Sequence, residues 1–509
     1  MQLNGLYYHL RTFGCQMNQH DSERIAGMLE ALGALPVSDA EQADIVVFMT
    51  CCVREAADTR LYGQVASLKN LPAPNGRRLI AIGGCIGQRD GELLIERLPH
   101  VDVVFGTHNL ASLPGLLIAA LNDAETQVEV LSDSEAATLP KATSLPIRRQ
   151  QAWQAWVPIM TGCDNFCSYC IVPYVRGRET SRPFEEVLHE VDKLLAEGVV
   201  EITLLGQNVN SYGRDLYGQP RFAEMLRAVG NSGIQRLRFT TSHPKDLSEQ
   251  TIAAFAETAA VMPQLHLPFQ SGSDRILKAM NRNYTADHYR GLIQSVRQAT
   301  AAAGKGLSQQ HAASQALGKQ QVVAGGTSQQ QAAGQGISRE QSADRGLEKQ
   351  RDTSKSLDRE QSAVAFSTDI IVGFPGETEA DFQATCDLVS EIGFSQAFTF
   401  IYSRREGTPA AELVDDTPAE VIQERFQRLV QIVQQSAWQQ NQLELDKTTS
   451  VLFEGTSKRD QSMLSGRNPQ NTTVHVPLPV GRSLDDYIGR IEPVHIDLAR
   501  TWYLRGELA

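Results

Sequence analysis

The chain of 509 residues is too long for one ordinary hydrophobic core, so roughly two to four domains are expected. With 41% hydrophobic and 21% charged residues, its composition is that of a soluble globular protein and excludes a fibrous or wholly disordered one. The formal net charge of -12 argues against broad, nonspecific binding to nucleic acid, because phosphate contacts require local Lys and Arg side chains.

The lack of a membrane-spanning run and of a signal-peptide pattern predicts a cytoplasmic protein. No apolar run is long enough to span a bilayer, and the opening residues MQLNGLYYHLRTFGC lack the basic, apolar and small-residue order of a signal peptide. In the reducing cytoplasm, the eight cysteines are expected to be metal ligands or catalytic groups rather than structural disulfides.

Residues 1–121 alternate strand-like and helix-like stretches, which predicts a small α/β domain. Cys15, Cys51 and Cys85 each follow a predicted strand. Loops after parallel strands meet at one edge of a sheet, where ligands usually bind, so we expect these three thiols to converge. The alternative is a set of unrelated buried thiols, which are common in α/β cores and need no metal.

A polar connection over residues 122–151 leads into a longer region, residues 152–440, in which short apolar strands alternate with helical stretches. This pattern predicts a full or partial parallel (β/α) barrel. The endings GQN, TSH, FQSG and GFPGE each follow an apolar strand, at the face where such barrels carry their chemistry. They therefore indicate a site at that face.

Five arginines near the start of this region are the best candidate for a local basic patch that contacts nucleic acid. They are Arg148, Arg149, Arg176, Arg178 and Arg182. Ordinary solvated surface charge is the alternative explanation.

The strongest local signal is the run Cys163-Asp-Asn-Phe-Cys167-Ser-Tyr-Cys170, with three and then two residues between its cysteines. Thiolates hold iron-sulfur clusters, and a cluster with only three protein ligands leaves one iron open to the amino and carboxylate groups of S-adenosylmethionine. Radical enzymes of that type require this spacing. A structural zinc ion is the alternative, but zinc normally takes four ligands, and no His or Cys lies between Cys170 and His189.

Between residues 303 and 364 the sequence becomes a Gln-, Ser-, Ala- and Gly-rich tract with a ten-residue repeat. Ten residues turn a helix by about 1000 degrees, so the lone apolar residue of each repeat shifts by about 80 degrees and no continuous apolar stripe forms. We expect disorder or a loosely held helix. The tract connects a predicted helix to the next predicted strand. Such connections lie on the barrel face opposite the strand ends proposed to carry the active site, so we also expect the tract to be dispensable.

Residues 441–509 follow a helical segment and read as several short strands separated by turns, which predicts a small β-barrel. Small barrels often bind nucleic acid. The charges of this one nearly cancel, so a structural or interdomain role is the alternative.

Several sequence blocks together resemble the radical S-adenosylmethionine methylthiotransferase family. The blocks are TFGCQMNQHDSER, TCCVREAADTR, GGC, GCDNFCSYCIVPYVRGRETSR, LLGQNVNSYG, HLPFQSGSDRILKAMNRNYT and FSTDIIVGFPGET. The resemblance covers nearly the whole chain except the repeat tract and the connection before the barrel. Cys52 stands where the family usually has Ala or Ser, and Arg404 stands where Pro is usual.

The resemblance implies a transferase that inserts a methylthio group into N6-isopentenyladenosine at position 37 of tRNA. Threonylcarbamoyladenosine in tRNA and an aspartate of a ribosomal protein are alternative substrates, and a noncatalytic, metal-stabilised RNA-binding protein is an alternative class. The implied fold is α/β, with an N-terminal α/β domain, a central radical SAM partial (β/α) barrel and a C-terminal barrel that resembles the TRAM domain, an RNA-binding module.

The resemblance also implies two 4Fe-4S clusters together with S-adenosylmethionine. The radical-generating cluster takes Cys163, Cys167 and Cys170, and the auxiliary cluster takes Cys15, Cys51 and Cys85. Cys52 adjoins Cys51 and is an alternative ligand in its place, whereas Cys386 is expected to fill a buried apolar position in a helix.

Strand-end positions and the resemblance together indicate the residues of the S-adenosylmethionine pocket. They are Tyr169, Gln207, Asn208, Ser242, Gln270 and Gly373 to Glu377. His243 and His266 lie in the same segments and are expected to be hydrogen-bonded structural residues rather than catalytic ones. The expected partners are tRNA and an electron donor protein such as flavodoxin or ferredoxin, with the sulfur donor unknown, no membrane and a monomeric chain.

Overall fold

The computed structural model of the chain describes residues 3–52, 55–69, 71–123, 125–132, 135, 144–304 and 364–509, with backbone alone at 55–58. The repeat tract predicted at 303–364 therefore lies almost wholly outside the described residues, and so does part of the predicted connection at 122–151. Within the described ranges, no helix has both the length and the apolar character needed to cross a membrane.

The N-terminal region forms one parallel sheet with helices on both sides. Its strands are Tyr7–Thr12 (β1), Leu35–Pro36 (β2), Ile45–Thr50 (β3), Leu79–Gly84 (β4), Val103–Phe105 (β5) and Gln127–Glu129 (β6). Its helices are Gln16–Ala31 (α1), Glu55–Leu68 (α2), Cys85–Asp90 (α3), Leu93–Arg97 (α4) and Leu113–Asp123 (α5). The strand order is β2-β1-β3-β4-β5-β6, which confirms the predicted α/β domain.

Both faces of this sheet are covered, so its central strands are apolar along their whole length. Every residue of β3 and β4 is buried. Because side chains alternate between the two faces of a strand, Ile45 and Val47 pack with α1 and α5, whereas Val46 and Phe48 pack with α2 and α3. Strands β1, β3 and β4 are neighbours, and the loops that follow them meet at one edge of the sheet.

The central region contains six strands of a partial parallel barrel and a short antiparallel pair, β8 and β9. The strands are Gln154–Pro158 (β7), Met160–Thr161 (β8), Thr180–Ser181 (β9), Glu201–Leu205 (β10), Arg236–Thr240 (β11), Gln264–His266 (β12), Ala365–Val372 (β13) and Gln396–Ile401 (β14). Two parallel sheets, β7-β10-β11 and β12-β13-β14, are joined by a bridge between Leu237 and Val261. The predicted barrel is therefore confirmed as a partial one.

Helices cover the outer face of the partial barrel. They are Val172–Arg176 (α6), Phe184–Ala196 (α7), Arg214–Tyr217 (α8), Phe222–Gly230 (α9), Glu249–Glu257 (α10), Asp274–Ala279 (α11), Ala286–Ala302 (α12), Glu379–Ile392 (α13) and Ala419–Gln442 (α14). Leu237 and Phe239 of β11 and Ile370 of β13 belong to the core beneath these helices. The alternate residues, such as Arg236 and Arg238, consequently face the interior of the barrel, which we call the lumen.

The C-terminal region is a small closed β-barrel, as predicted. Its strands are Thr448–Thr456 (β15), Met463–Arg467 (β16), Thr473–Pro477 (β17), Ile491–Ala499 (β18) and Tyr503–Leu508 (β19), and they close in the order β15-β16-β17-β19-β18. Arg236 docks this barrel onto the central region, because its guanidinium donates to the carbonyls of Arg467 and Ser450 at 2.8 and 2.9 Å. The domain boundaries predicted at 121, 151 and 440 stay predictions.

Candidate functional site

The loop between β8 and α6 carries the three closely spaced cysteines. Cys167 is buried, and Cys163 and Cys170 are half-buried. The three thiols lie near enough to interact electrostatically with one another. Burial raises the pKa of Cys163 to about 11, and burial together with the charge of Cys167 raises that of Cys170 to about 12. Any metal or cluster bound here must therefore supply the positive charge that favours three thiolates.

Basic and amide side chains donate to these sulfurs. Arg282 is buried, and its Nη1 lies 3.5 Å from Cys167 Sγ while its Nη2 donates to the carbonyl of Pro268 at 2.7 Å. Asn165 Nδ2 lies 3.6 Å from Cys163 Sγ, and its Oδ1 accepts a 2.6 Å hydrogen bond from Lys245 Nζ. Such donors stabilise thiolates and hold the loop in one conformation.

The three separated cysteines lie at the edge of the N-terminal sheet where β1, β3 and β4 end. Cys15 is the exposed residue just before α1, Cys51 is buried after β3, and Cys85 is buried at the start of α3. Gly14 lets the first loop approach the second, because a Cβ at this position, with φ of +110°, would lie only 2.3 Å from Cys51 Cβ. The sheet thus brings these loops to one edge, and the joint binding of a cluster by Cys15, Cys51 and Cys85 stays a prediction.

Cys52 lies beside the same group of thiols. Its side chain is fully buried and hydrogen-bonds to Cys85. This hydrogen bond, together with the positive charge of Arg176, lowers the pKa of Cys85 to about 6, whereas the hydrogen bond and burial raise the pKa of Cys52. Cys52 is therefore in direct contact with Cys85, and the choice between Cys51 and Cys52 as a ligand stays a prediction.

Arg176 connects the two cysteine groups. It is the last residue of α6, the helix that starts two residues after Cys170, and it is buried. Its guanidinium crosses the domain boundary, donates to Asn18 Oδ1 at 2.7 Å and hydrogen-bonds to Cys85. The charge of Arg176 also acts on Cys15. One short helix thus joins the loop of one group to the thiols of the other.

A second contact joins the same two regions at the open end of the barrel. Gln16, the residue after Cys15, accepts a 3.0 Å hydrogen bond through Oε1 from Thr240 Oγ1 at the end of β11. Ile171 and Val175 of the α6 segment pack into the core that contains Cys85. The edge of the N-terminal sheet is therefore held against the strand ends of the barrel.

The donor chemistry of both groups fits iron-sulfur clusters. Within the described residues, no three His, Cys, Asp or Glu side chains lie close enough together to hold one metal ion. A 4Fe-4S cluster binds each thiolate through a different iron, so its ligands stand farther apart than those around one ion. Each group consists of thiols, and each has a buried arginine that donates to a sulfur. Thiol ligands with a buried arginine beside them fit an iron-sulfur cluster in each group.

The structure places the predicted S-adenosylmethionine residues at the carboxyl ends of the barrel strands. Asn208, after β10, donates to Asp246 Oδ2 at 2.8 Å, and neither its Oδ1 nor Ser242 Oγ has a partner among the described residues. Both atoms are buried. Buried polar atoms are normally hydrogen-bonded, so this arrangement favours a polar ligand at these positions. Gln207 is half-buried beside Asn208.

The other predicted pocket residues follow β8, β12 and β13. Tyr169, within the cysteine loop, packs against the small apolar cluster that contains Met280 and Phe374, and burial raises its pKa. Gln270 adopts a left-handed φ of 67° and bridges to β13. Glu377 Oε2 accepts the Gly373 N–H at 2.9 Å, and burial raises the pKa of this carboxyl to about 7. The binding roles of all these residues stay predictions.

The two histidines differ in their hydrogen bonding. His266 Nδ1 lies 3.1 Å from Ser367 Oγ. His243 Nδ1 accepts the Lys245 N–H at 3.2 Å, which places the ring proton on Nε2, an atom that is buried without a partner among the described residues. Burial, with Arg282 and Lys245 nearby, lowers the pKa of His243, so this ring is a neutral donor.

Sequence reasoning missed several residues at the site. Arg282 and Lys245 were not singled out, and Arg176 was assigned to a surface patch. Asn210, whose two side-chain amide atoms are buried without partners among the described residues, was also overlooked. It belongs to the block LLGQNVNSYG, so the only available signal was its nearness to a strand end.

The predicted basic patch is wrong as a continuous cationic surface. Arg176 and Arg182 are buried or nearly so, and Arg182 pairs with Glu186 and Glu190. The partners of the others are Asp21 for Arg176, Glu30 for Arg148, Glu197 for Arg149 and Asp164 for Arg178. Each arginine is thus engaged by a carboxylate, because folding brings acidic residues from other elements beside it.

Three family models match the chain in succession. They are the uncharacterized protein family UPF0004 over residues 7–106, the radical SAM superfamily over residues 157–301 and the TRAM domain over residues 443–509. With the cysteine loop before α6 and the partial barrel, these matches define a radical SAM enzyme with three domains. Membership of this superfamily implies S-adenosylmethionine and a 4Fe-4S cluster.

The relatives are similar over nearly the full chain. A protein from Streptomyces viridosporus named tRNA-2-methylthio-N(6)-dimethylallyladenosine synthase is 44% identical over 93% of this chain and 82% of its own length. Proteins of that name from Carboxydothermus hydrogenoformans and Thermoanaerobacter sp. (strain X514) are each 40% identical, over 98% and 99% of this chain and 99% and 93% of their own lengths. The chain belongs to the family of tRNA-2-methylthio-N(6)-dimethylallyladenosine synthases.

Among solved structures, the radical S-adenosylmethionine methyltransferase TsrM from Kitasatospora setae is similar with a TM-score of 0.48 and 12% identity, over 80% of this chain and 74% of that one.

Proposed function

We propose that the chain converts N6-isopentenyladenosine at position 37 of tRNA to its 2-methylthio derivative. The observation that carries the proposal is that Arg176 joins the two groups of cysteines. The relatives that are named for this reaction align with the chain over most of their length. The TRAM domain at residues 443–509 supports an RNA substrate.

The substrate carbon explains the need for a radical. A ring C–H bond of adenine offers no proton that a side chain can remove near neutral pH, so general acid-base catalysis alone does not open it. When bound, the cluster and S-adenosylmethionine together supply a 5'-deoxyadenosyl radical that can abstract hydrogen from such a carbon. The work of the protein is to hold these groups and to position the base.

In this proposal, Cys163, Cys167 and Cys170 hold the radical-generating cluster. Arg282 and Asn165 stabilise its thiolates through their contacts with Cys167 and Cys163. S-adenosylmethionine takes the strand-end positions, where Asn208 Oδ1, Ser242 Oγ and Glu377 Oε1, which have no partner among the described residues, provide its hydrogen-bond partners. Tyr169, Gln207, Gln270 and Gly373 complete the wall of this pocket.

The second group, Cys15, Cys51 and Cys85, holds the auxiliary cluster, which supplies the sulfur for transfer. Arg176 places a positive charge against Cys85 and near Cys15, and it anchors this group to the helix that follows Cys170. Sulfur delivery requires both clusters to face one cavity. The contacts of Arg176 and Gln16 across the domain boundary support that arrangement.

The proposal also includes the partners of the enzyme. An electron donor protein such as flavodoxin or ferredoxin reduces the radical-generating cluster in the cytoplasm, and the enzyme acts as a monomer. The sulfur donor that restores the auxiliary cluster is unknown.

Nucleoside analysis tests the proposed function most directly. Total tRNA from cells that lack the gene is digested and compared by mass spectrometry with tRNA from cells that carry the intact gene or a Cys163, Cys167 and Cys170 to Ala variant. We expect the 2-methylthio nucleoside only with the intact gene, and N6-isopentenyladenosine in its place otherwise. An unchanged nucleoside profile in the deletion strain contradicts the proposed substrate, and loss of a threonylcarbamoyl derivative instead identifies the alternative one.

Anaerobic iron and sulfide analysis of the purified protein separates the enzyme from a metal-stabilised binding protein. About eight irons per chain are expected for two 4Fe-4S clusters. A single zinc ion per chain contradicts the proposal.

A further inference from the structure

The two halves of the barrel lumen differ in what covers them. In the first half, the inward residues Arg236 and Arg238 are buried because the C-terminal barrel docks on them, and Arg238 donates to the carbonyls of Pro469 and Asn468. Farther along β11, the N-terminal domain reaches Thr240 through Gln16. Other domains thus occupy the inner face of β11.

The second half of the lumen presents accessible polar and aromatic side chains. His266 of β12, Asp369 of β13 and Phe398 of β14 form what we call the acid-aromatic cluster. Asp369 is directly opposite Phe398 in the strand register, and His266 Nε2 lies 3.7 Å from Asp369 Oδ2. The rings of His266 and Phe398 meet edge to face at 6.1 Å.

All three members of this cluster are accessible on the lumen face of the sheet. The side chains of His266 and Asp369 are 14% and 28% exposed, and Phe398 is 39% exposed. Thr368 and Ile370, which flank Asp369 in the chain, are fully buried on the opposite face of the strand. An open phenylalanine beside a carboxylate, on the inner wall of a barrel, is not needed for the hydrophobic core. Its accessibility favours a ligand with an apolar face and a hydrogen-bonding edge.

The acid-aromatic cluster is also adjacent to the cysteine loop. Two residues beyond His266, the carbonyl of Pro268 accepts from Arg282, the arginine that contacts Cys167 Sγ. The carbonyl of Asp369 accepts the N–H of Gln270 at 3.0 Å, and Gln270 is one of the predicted pocket residues. The cluster therefore lies on the lumen side of the strand ends where S-adenosylmethionine is proposed to bind.

We propose that His266, Asp369 and Phe398 form the subsite that receives the modified adenine of the RNA, an inference that rests on the proposed function. Phe398 stacks on the face of the base, the Asp369 carboxylate accepts the single N6–H that an alkylated adenine retains, and His266 donates to a ring nitrogen. Bases that proteins take out of an RNA loop are held in this way, by aromatic stacking and contacts to their edges. Gripping the N6 edge leaves C2 free to face the cysteine loop.

The test uses reconstituted holoenzyme, a chemical reductant and an anticodon stem-loop that contains N6-isopentenyladenosine. For Phe398→Ala we expect the KM for the stem-loop to rise about tenfold, the scale of a lost base-stacking contact. For Asp369→Asn we expect a smaller rise, because the amide oxygen still accepts the N6–H but the hydrogen bond is no longer charge-assisted. Formation of 5'-deoxyadenosine without RNA should stay within about twofold of the unmodified enzyme, because the proposed S-adenosylmethionine contacts are elsewhere. Phe398→Tyr keeps the aromatic face, so its KM for the stem-loop should match that of the unmodified enzyme.

Asp387→Asn is the matched control, because Asp387 is an exposed carboxylate of α13 whose Oδ1 accepts from Gln383 on the same helix. It should leave both activities unchanged. An unaltered KM for the stem-loop in Phe398→Ala and Asp369→Asn overturns the subsite, and so does a rise in the KM for S-adenosylmethionine in its place. If the unmodified enzyme itself fails to modify the stem-loop, the proposed function fails, which is a separate result.

Discussion

The two cysteine groups reach similar chemistry by opposite routes. Cys163, Cys167 and Cys170 lie within one loop of eight residues, whose shape depends on nearby contacts such as the 2.9 Å hydrogen bond from Cys170 N to Cys167 O. Cys15, Cys51 and Cys85 come from three strand ends, and only the parallel sheet brings them together. The first group therefore depends on local chain geometry, and the second depends on correct packing of a whole domain.

The electrostatic settings of the two groups also differ. Burial raises the pKa values of Cys163 and Cys170, whereas the Cys52 hydrogen bond and the charge of Arg176 lower that of Cys85. Within the loop, the amide of Asn165 donates to Cys163 Sγ. Cys15, Cys51 and Cys85, which we call the distributed group, instead have the cation Arg176 from the neighbouring domain beside them. The distributed group should therefore respond to changes at the domain boundary that leave the loop intact.

Replacing Cys163, Cys167 and Cys170 together by Ala should have the largest effect. We expect complete loss of S-adenosylmethionine cleavage, because no thiolates remain to hold the radical-generating cluster. Iron should fall from about eight to about four per chain, since the auxiliary group is untouched. The measurements are 5'-deoxyadenosine by chromatography and iron by colorimetry, and persistent 5'-deoxyadenosine contradicts the assignment.

Replacing Cys15, Cys51 and Cys85 together by Ala should separate the two roles. We expect loss of the methylthio product while 5'-deoxyadenosine is still formed, because the radical-generating loop does not depend on the auxiliary thiols. Iron should again fall to about four per chain. If S-adenosylmethionine cleavage is lost as well, with the loop cluster still visible by electron paramagnetic resonance, the loop does depend on the auxiliary thiols and the proposed independence of the two groups is wrong.

Arg176→Met should have a smaller effect that is confined to the distributed group. In the background that lacks Cys163, Cys167 and Cys170, only auxiliary iron remains, and its loss to a chelator can be followed alone. We expect release roughly tenfold faster, the scale on which partners of metal ligands affect affinity. The physical reason is the loss of the cation that hydrogen-bonds to Cys85.

Arg24→Met is the control for Arg176→Met. Arg24 is also buried at the same domain boundary, but its partners are Glu190 at 3.3 Å, His20 and the carbonyl of Leu145 rather than a thiol. Chelator release should stay close to that of the parent variant. Equal acceleration in both variants would show that Arg176 acts through domain docking alone.

Cys52→Ala should have the smallest effect. Removing a buried sulfur lowers the free energy of unfolding by about 1 kcal/mol through the small cavity it leaves. About eight irons should remain in this variant, whereas Cys51→Ala should keep about four. Denaturant unfolding and iron analysis check the pair, and the reverse pattern of iron loss identifies Cys52 as the ligand.

The sequence was most informative where local patterns carry the structure. Short apolar strands that alternate with helical stretches predicted the N-terminal sheet and the partial barrel, and short strands separated by turns predicted the small C-terminal barrel. These predictions succeed because strand and turn patterns extend over only a few positions. The spacing from Cys163 to Cys170 likewise predicted a three-thiol site from one loop. The reading of Arg148 to Arg182 as a basic patch failed because the carboxylates that pair with these arginines lie mostly in other elements.

The sequence by itself determined the strands, the order of the domains and the position of each thiol at a strand end, since these follow from covalent spacing and local hydrophobic pattern. Only the tertiary structure decided which distant groups meet. Arg176 reaches Asn18 across 158 positions, and Arg236 reaches Arg467 across 231. Such contacts depend on how completed domains pack and on which buried polar groups need partners, and no local pattern in the chain encodes that choice.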